Sequence, residues 1–182
     1  MQIVEITQGG VIDPEDILWL GGSYSWLKRI RRGGIGSPKV IYVSGIPSFD
    51  QLSHGVAGQT TFANFELLTE GLLLRANCTQ RLAAVATRYE ALKAIRLTGY
   101  PVKVRGPRRW RSKTANYDVV YKGALTVVDQ EDQAYYFATR VSEFEAVKAF
   151  FSKAPEFAAI FSTGLSPIPL QEDSALARQL DL

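Results

Sequence analysis

From Thr61 onward the chain lays down one apolar, β-branched or aromatic run after another, at a spacing of roughly ten residues, before the hydrophobic period changes near Ser142. The runs are "TFANFELL", "GLLLRAN", "RLAAVA", "YEALKAIRL", "VKVR", "YDVVYKGALTVVD" and "AYYFATRV", with "QEDQ" as a hairpin turn before the last. "KVIYVSG", 39–45, adds an earlier strand. Regular short strands broken by turn residues cannot pack as a helix bundle. They predict an antiparallel barrel or sandwich. In "SEFEAVKAFFSKAP" the spacing becomes helical: Phe144, Val147, Phe150 and Phe151 share one apolar face, and Ser142 with Glu145 reads as a capping box. At 46% hydrophobic over 182 residues, the chain carries enough apolar material for a core.

The flanks are less regular. "QIVEI" alternates like a short strand. Asp13-Pro14 is an N-cap followed by a first-turn proline, predicting a short helix to Leu20 that Gly21-Gly22 ends. "SYSWLKRIRRGG" predicts a second short helix, with Trp26, Leu27 and Ile30 on one face and Lys28, Arg29, Arg31 and Arg32 around it. "GGIGSP" reads as a linker and 46–60 as a long loop. The tail from Ser162 is rich in Pro, Ser and acid, and is expected to be partly disordered.

Three stretches resemble bacterial pleckstrin-homology-like (PH-like) domains. "FELLTEGLLLRA" (65–76) resembles their opening hairpin. "RYEALKAIRL" (88–97) resembles a later turn leading into an apolar strand, and "GALTVVDQEDQAYYFAT" followed by "SEFEAVKAFF" resembles their last hairpin and capping helix. The likeness spans about residues 39–154 and rests on the order of elements. It implies a mainly β fold with α: a strongly bent antiparallel sheet or barrel of about seven strands, closed by a C-terminal amphipathic helix. On this reading residues 1–38 are an N-terminal extension without counterpart in the family, 39–161 the PH-like domain and 162–182 a tail.

Catalytic chemistry has little to work with. His54, in a Ser-His-Gly loop, is the only histidine, and Cys78, at the end of an apolar strand, the only cysteine. One of each builds neither a zinc site without several carboxylates nor a disulfide. "DQED" at 129–132 lacks the glycine and trailing glutamate of a calcium loop, and "GGIGSPK" lacks phosphate-loop spacing. The expectation is a protein without cofactor, metal or catalytic role.

Charge gives the better lead. Residues 1–113 hold 16 Lys/Arg against 8 Asp/Glu, and residues 114–182 hold 5 against 10. Such a dipolar molecule favours one docking orientation on an anionic partner. The densest stretch is "KVRGPRRWRSK", where Lys103, Arg105, Arg108, Arg109, Trp110, Arg111 and Lys113 are candidates to hold an anion. Arginine binds phosphate with two bonds and stacks on flat rings, and tryptophan suits a lipid interface. Alternation along the strand would send Val102 and Val104 inward and Lys103 and Arg105 outward. A solvated hairpin with Trp110 folded back is the competing reading. Lys28, Arg29, Arg31 and Arg32 form a secondary basic patch. In PH domains that bind phosphoinositides the cations usually surround the first hairpin, whereas that turn here is the acidic "LTEG". The leading expectation is an interaction domain that binds a protein partner or itself. An anionic membrane surface is the alternative, and nucleic acid, without an RNP-like or helix-turn-helix signature, comes third. The amino terminus lacks a signal-peptide pattern, no stretch approaches the roughly 20 apolar residues of a bilayer span, and the expected location is cytoplasmic or peripheral at the membrane.

Overall fold

A computed structural model describes residues 2–4, 11–32, 34–52, 59–105 and 117–167. They are mainly β, with one sheet and a few short helices. The strands are β1 (Gln2–Val4), β2 (Val40–Ser44), β3 (Phe62–Leu67), β4 (Gly71–Cys78), β5 (Arg81–Arg88), β6 (Leu92–Arg105), β7 (Tyr117–Asp129), β8 (Ala134–Thr139) and β9 (Phe161–Leu165). The helices are α1 (Pro14–Trp19), α2 (Trp26–Arg31), α3 (Pro47–Asp50) and α4 (Phe144–Lys153). The strand order is β1-β5-β4-β3-β2-β8-β7-β6-β9. Among the described residues the sheet has nine strands: β2–β8 are the roughly seven expected between 39 and 161, and β1 and β9 add one at each edge. The sheet is open rather than closed into a barrel. "YEALKAIRL" and "VKVR" are not separate strands: after a 3-10 turn at Tyr89–Ala91 they run together as β6.

One large core lies against one face of this sheet. It takes Tyr42 from β2, Phe65 from β3, Leu72 and Leu74 from β4, Ile95 and Leu97 from β6, Leu125 and Val127 from β7, and Tyr135 and Phe137 from β8. The helix α4 contributes Phe144, Val147 and Phe151, all buried, while Phe150 is half-buried. Ring edges interlock there: Phe65 meets Phe137 at 5.1 Å and Phe151 at 5.3 Å between centroids. The capping box does not form. The N-cap of α4 is Glu143 with no side-chain cap bond, and the Ser142 hydroxyl turns to Glu143 Oε1 at 3.3 Å.

Described parts of residues 1–38 pack on the sheet. Val4, Ile12 and Leu20 pack with Leu68, Leu73, Ala84 and Ala86 in a second core on the opposite face of β4 and β5. This explains why β4 reads "GLLL" rather than alternating: both of its faces are covered. The Asp13 side chain caps α1 by accepting from Glu15 N at 2.9 Å. Gly21 and Gly22, with φ of +76° and +78°, turn the chain out of it. Backbone bonds Thr69 N to Gly22 O (3.0 Å) and Glu70 N to Leu20 O (2.8 Å) then pin the segment to the β3–β4 turn.

Three further expectations change. "GGIGSP" is not a free linker, because Leu67 N donates to Ile35 O and Ser37 N to Phe65 O, both at 2.7 Å. The loop at 46–60 includes α3, whose Phe49 is fully buried; residues 53–58 lie outside the described part. The tail begins later than expected, since Phe161–Leu165 pair in parallel with Ile95–Gly99 of β6, which also makes the sheet mixed rather than purely antiparallel. Residues 168–182 lie outside the described part.

A glycine pair seats α4. Gly99 and Gly123 are directly opposite in the β6–β7 ladder. A Cβ on Gly99 would stand 2.7 Å from Phe144 Cζ, and one on Gly123 would stand 2.8 Å from Phe144 Cδ2 and 2.5 Å from Thr139 Oγ1. The first ring of α4 thus rests where the sheet has no side chain to displace.

Candidate interaction surfaces

β6 and β7 outrun their neighbours. β9 pairs with β6 only as far as Gly99, and β8 pairs with β7 only from Gly123. Beyond those points Pro101–Arg105 and Tyr117–Tyr121 continue as a two-stranded antiparallel arm, from Pro101 opposite Tyr121 to Arg105 opposite Tyr117. Five pairs at about 3.4 Å per residue make an arm of roughly 17 Å. Pro101 fits here because a proline, without an N–H, is tolerated where its strand forms an edge. Residues 106–116, with most of the basic stretch, join the two strands of the arm. Arg108, Arg109, Trp110, Arg111 and Lys113 lie outside the described residues. Lys103 and Arg105 are placed by backbone register, opposite Val119 and Tyr117. Val102 is half-buried; the inward turn expected of Val104 falls outside what is described.

The second surface is α2. Its Trp26, Leu27 and Ile30 do share a face, and that face is turned to solvent: the three are 71%, 60% and 58% exposed. Lys28, Arg29 and Arg31 are exposed as well. The helix is held from behind. Arg32, just past its end, donates to both oxygens of Glu156, NH2 to Oε1 at 2.6 Å and NH1 to Oε2 at 3.0 Å. The Tyr24 hydroxyl donates to Glu156 Oε1 at 2.9 Å, and the guanidinium of Arg32 lies 4.3 Å from the Tyr24 ring centre. Burial opposes ionisation of Glu156, but the hydrogen bond from Arg32, then those from its own backbone amide and from Tyr24, outweigh it and hold its pKa below the ordinary value. Sequence reasoning put Arg32 in the basic patch without finding this clamp, because Glu156 is 124 residues away and carries no local signal.

Cys78 is fully buried in β4, and His54 lies outside the described residues. Asp129 accepts from the Tyr135 hydroxyl at 2.6 Å and from the amides of Glu131 and Gln133 at 3.0 Å each, so it organises the β7–β8 turn. Among the described residues no group of three or more His, Cys, Asp or Glu side chains could hold a metal. A cleft of about 280 Å³ opens between α4 and the 34–38 segment, floored by Leu67 and Phe150 and edged by Arg32 and Lys153. No described helix is long and apolar enough to cross a membrane.

No protein-family model, curated protein or solved structure matches the chain.

Proposed function

We propose that the chain is a PH-like interaction domain without catalytic role, whose β6–β7 arm grips a partner protein. Support for the PH-like reading comes from the strand order: two antiparallel groups, β5-β4-β3 and β8-β7-β6, meet through β2, with α4 packed against their shared core. The stretches that resemble the family fall on β3–β4, on the turn into β6, and on β7–β8–α4.

The observation that carries the binding role is the arm. A two-stranded ribbon is marginal alone in water. Here it leaves the body of the sheet with, among the described residues, no third strand beside Pro101–Arg105 or Tyr117–Tyr121. Such an edge offers backbone groups to a strand of another chain. On the β6 side Pro101 interrupts the row of donors, so the β7 side is the better acceptor of a strand. The cations of 103–113 select an acidic partner. A second copy of this chain would meet that need only through its acidic part, residues 114–182, which hold 10 Asp/Glu against 5 Lys/Arg.

The test is to replace residues 103–119 with Asn-Gly, which joins the paired Val102 and Val120 through a two-residue hairpin turn. The body should keep its melting temperature within a few degrees. Proteins retained by the intact chain, or its own self-association in light scattering, should be lost. Identical retention by both chains would refute the arm's role.

A further inference from the structure

We propose that α2 is a membrane-contact helix, seating Trp26, Leu27 and Ile30 in the headgroup–acyl boundary of an anionic bilayer. The inference is independent of the arm and goes beyond it. At about 100° per residue, the three apolar side chains occupy one arc of about 100°, with Arg31 and Arg29 at its two borders. Lys28 and Arg32 fall on the far side. Arg32 is committed to Glu156, so the back of the helix is the attached side and the apolar arc is the presented one. All three apolar residues are more than half exposed, and they are neighbours on one element, unlike scattered exposed leucines.

Charge selects the occupant. No Asp or Glu occurs between Asp16 and Asp50. Of the carboxylates that other elements bring alongside, Glu156 is paired with Arg32, Glu66 with Arg75 and Glu70 with Arg88, so none of them offsets Arg29 and Arg31 alone. A second copy docking face to face would set Arg29 and Arg31 against their equivalents. Nucleic acid would satisfy the cations but offers no hydrocarbon layer for Leu27 and Ile30. An anionic bilayer answers both needs: long cationic side chains reach the headgroups while their stems and the apolar residues sink below them. Tryptophan at the border of such a layer is favoured for the same reason. The helix is short, so binding is reversible and salt-sensitive rather than an anchor.

The experiment uses the full chain with phosphatidylcholine vesicles, with and without about 30% phosphatidylglycerol, at low ionic strength. Binding is expected only to the anionic vesicles. Trp26→Ala with Leu27→Ser, and separately Arg29→Glu with Arg31→Glu, should each weaken it by roughly tenfold or more. The melting temperature should stay near wild type for the first pair, whose side chains are exposed, and fall by about a few degrees for the second, because Arg29 Nε also donates to Tyr24 O at 3.0 Å. The blue shift of tryptophan emission on binding should disappear in Trp26→Phe. The chain shortened between Val102 and Val120 should still bind vesicles, which separates this inference from the role of the arm. The inference is overturned by absence of vesicle binding or by binding that survives both α2 double variants. Loss confined to Arg108→Glu with Arg109→Glu, which would move the lipid contact to the arm, also overturns it, as does self-association that Leu27→Glu abolishes without vesicle binding.

Discussion

Gly123→Ala probes how α4 is seated, because the new methyl would have nowhere to go. Its Cβ would stand 2.5 Å from Thr139 Oγ1, 2.8 Å from Phe144 Cδ2 and 3.1 Å from Leu97 Cδ1. All three neighbours belong to the packed body: Phe144 is 2% exposed, Leu97 1% and Thr139 0%. Forcing a methyl into such a site costs about 1–3 kcal/mol. A strand alanine regains about 0.5–1 kcal/mol of backbone entropy over glycine. The net expectation is a loss of roughly 1–2 kcal/mol, which urea unfolding would show as a midpoint lowered by about 0.5–1 M at an unchanged slope. Phe144→Leu alone should also destabilise, by emptying part of the notch. The two changes together should cost less than their sum by about 1 kcal/mol, because the shorter side chain leaves room for the methyl. Additivity within about 0.5 kcal/mol, or a Gly123→Ala protein as stable as wild type, would refute the seat.

Glu156→Gln should cost about 1–2 kcal/mol near neutral pH by weakening the bonds to Arg32 and Tyr24. Because the pKa of Glu156 is lowered in the folded state, its contribution is full above the unfolded value and is lost as pH falls through the folded one. The gap between wild type and Glu156→Gln in melting experiments should therefore close in acid. Cys78→Ser should lower stability by about 1–3 kcal/mol, since it buries a hydroxyl in an apolar site, yet leave binding intact. His54→Ala should leave both unchanged; a hundredfold loss of any activity in either folded variant would contradict the non-catalytic reading.

Much of this fold was legible because periodicity in strands and in α4 is imposed by burial. β3 alternates half-buried and buried along its whole length, as "FANFEL" suggests. The misses share a cause: they depend on partners far away in sequence. "GLLL" announced a strand covered on both faces, and that was the available signal that Val4, Ile12 and Leu20 pack on the sheet. "GGIGSP" pairs through backbone groups, which glycine-rich sequence cannot advertise. "FSTGL" is largely exposed, so its strand lacks an apolar rhythm, and only its ladder with β6 defines it. At α2 the sequence put Lys28, Arg29, Arg31 and Arg32 in one basic patch. It could not separate Arg32, spent on Glu156, from Arg29 and Arg31 at the border of an exposed apolar arc. Nor could it show that β6 and β7 outlast their neighbours as a two-stranded arm, from Pro101 opposite Tyr121 to Arg105 opposite Tyr117.

Amide hydrogen exchange, with and without a protein retained by the intact chain, tests the partner-binding claim most directly. In the isolated chain, amides of Leu72–Leu74 and Leu125–Val127 should exchange slowest, and those of Val102–Arg105 and Tyr117–Tyr121 far faster. On adding the partner, protection should appear on the arm, most strongly along β7. Arm amides as fast with the partner as without it, with new protection elsewhere on the sheet, would contradict the account.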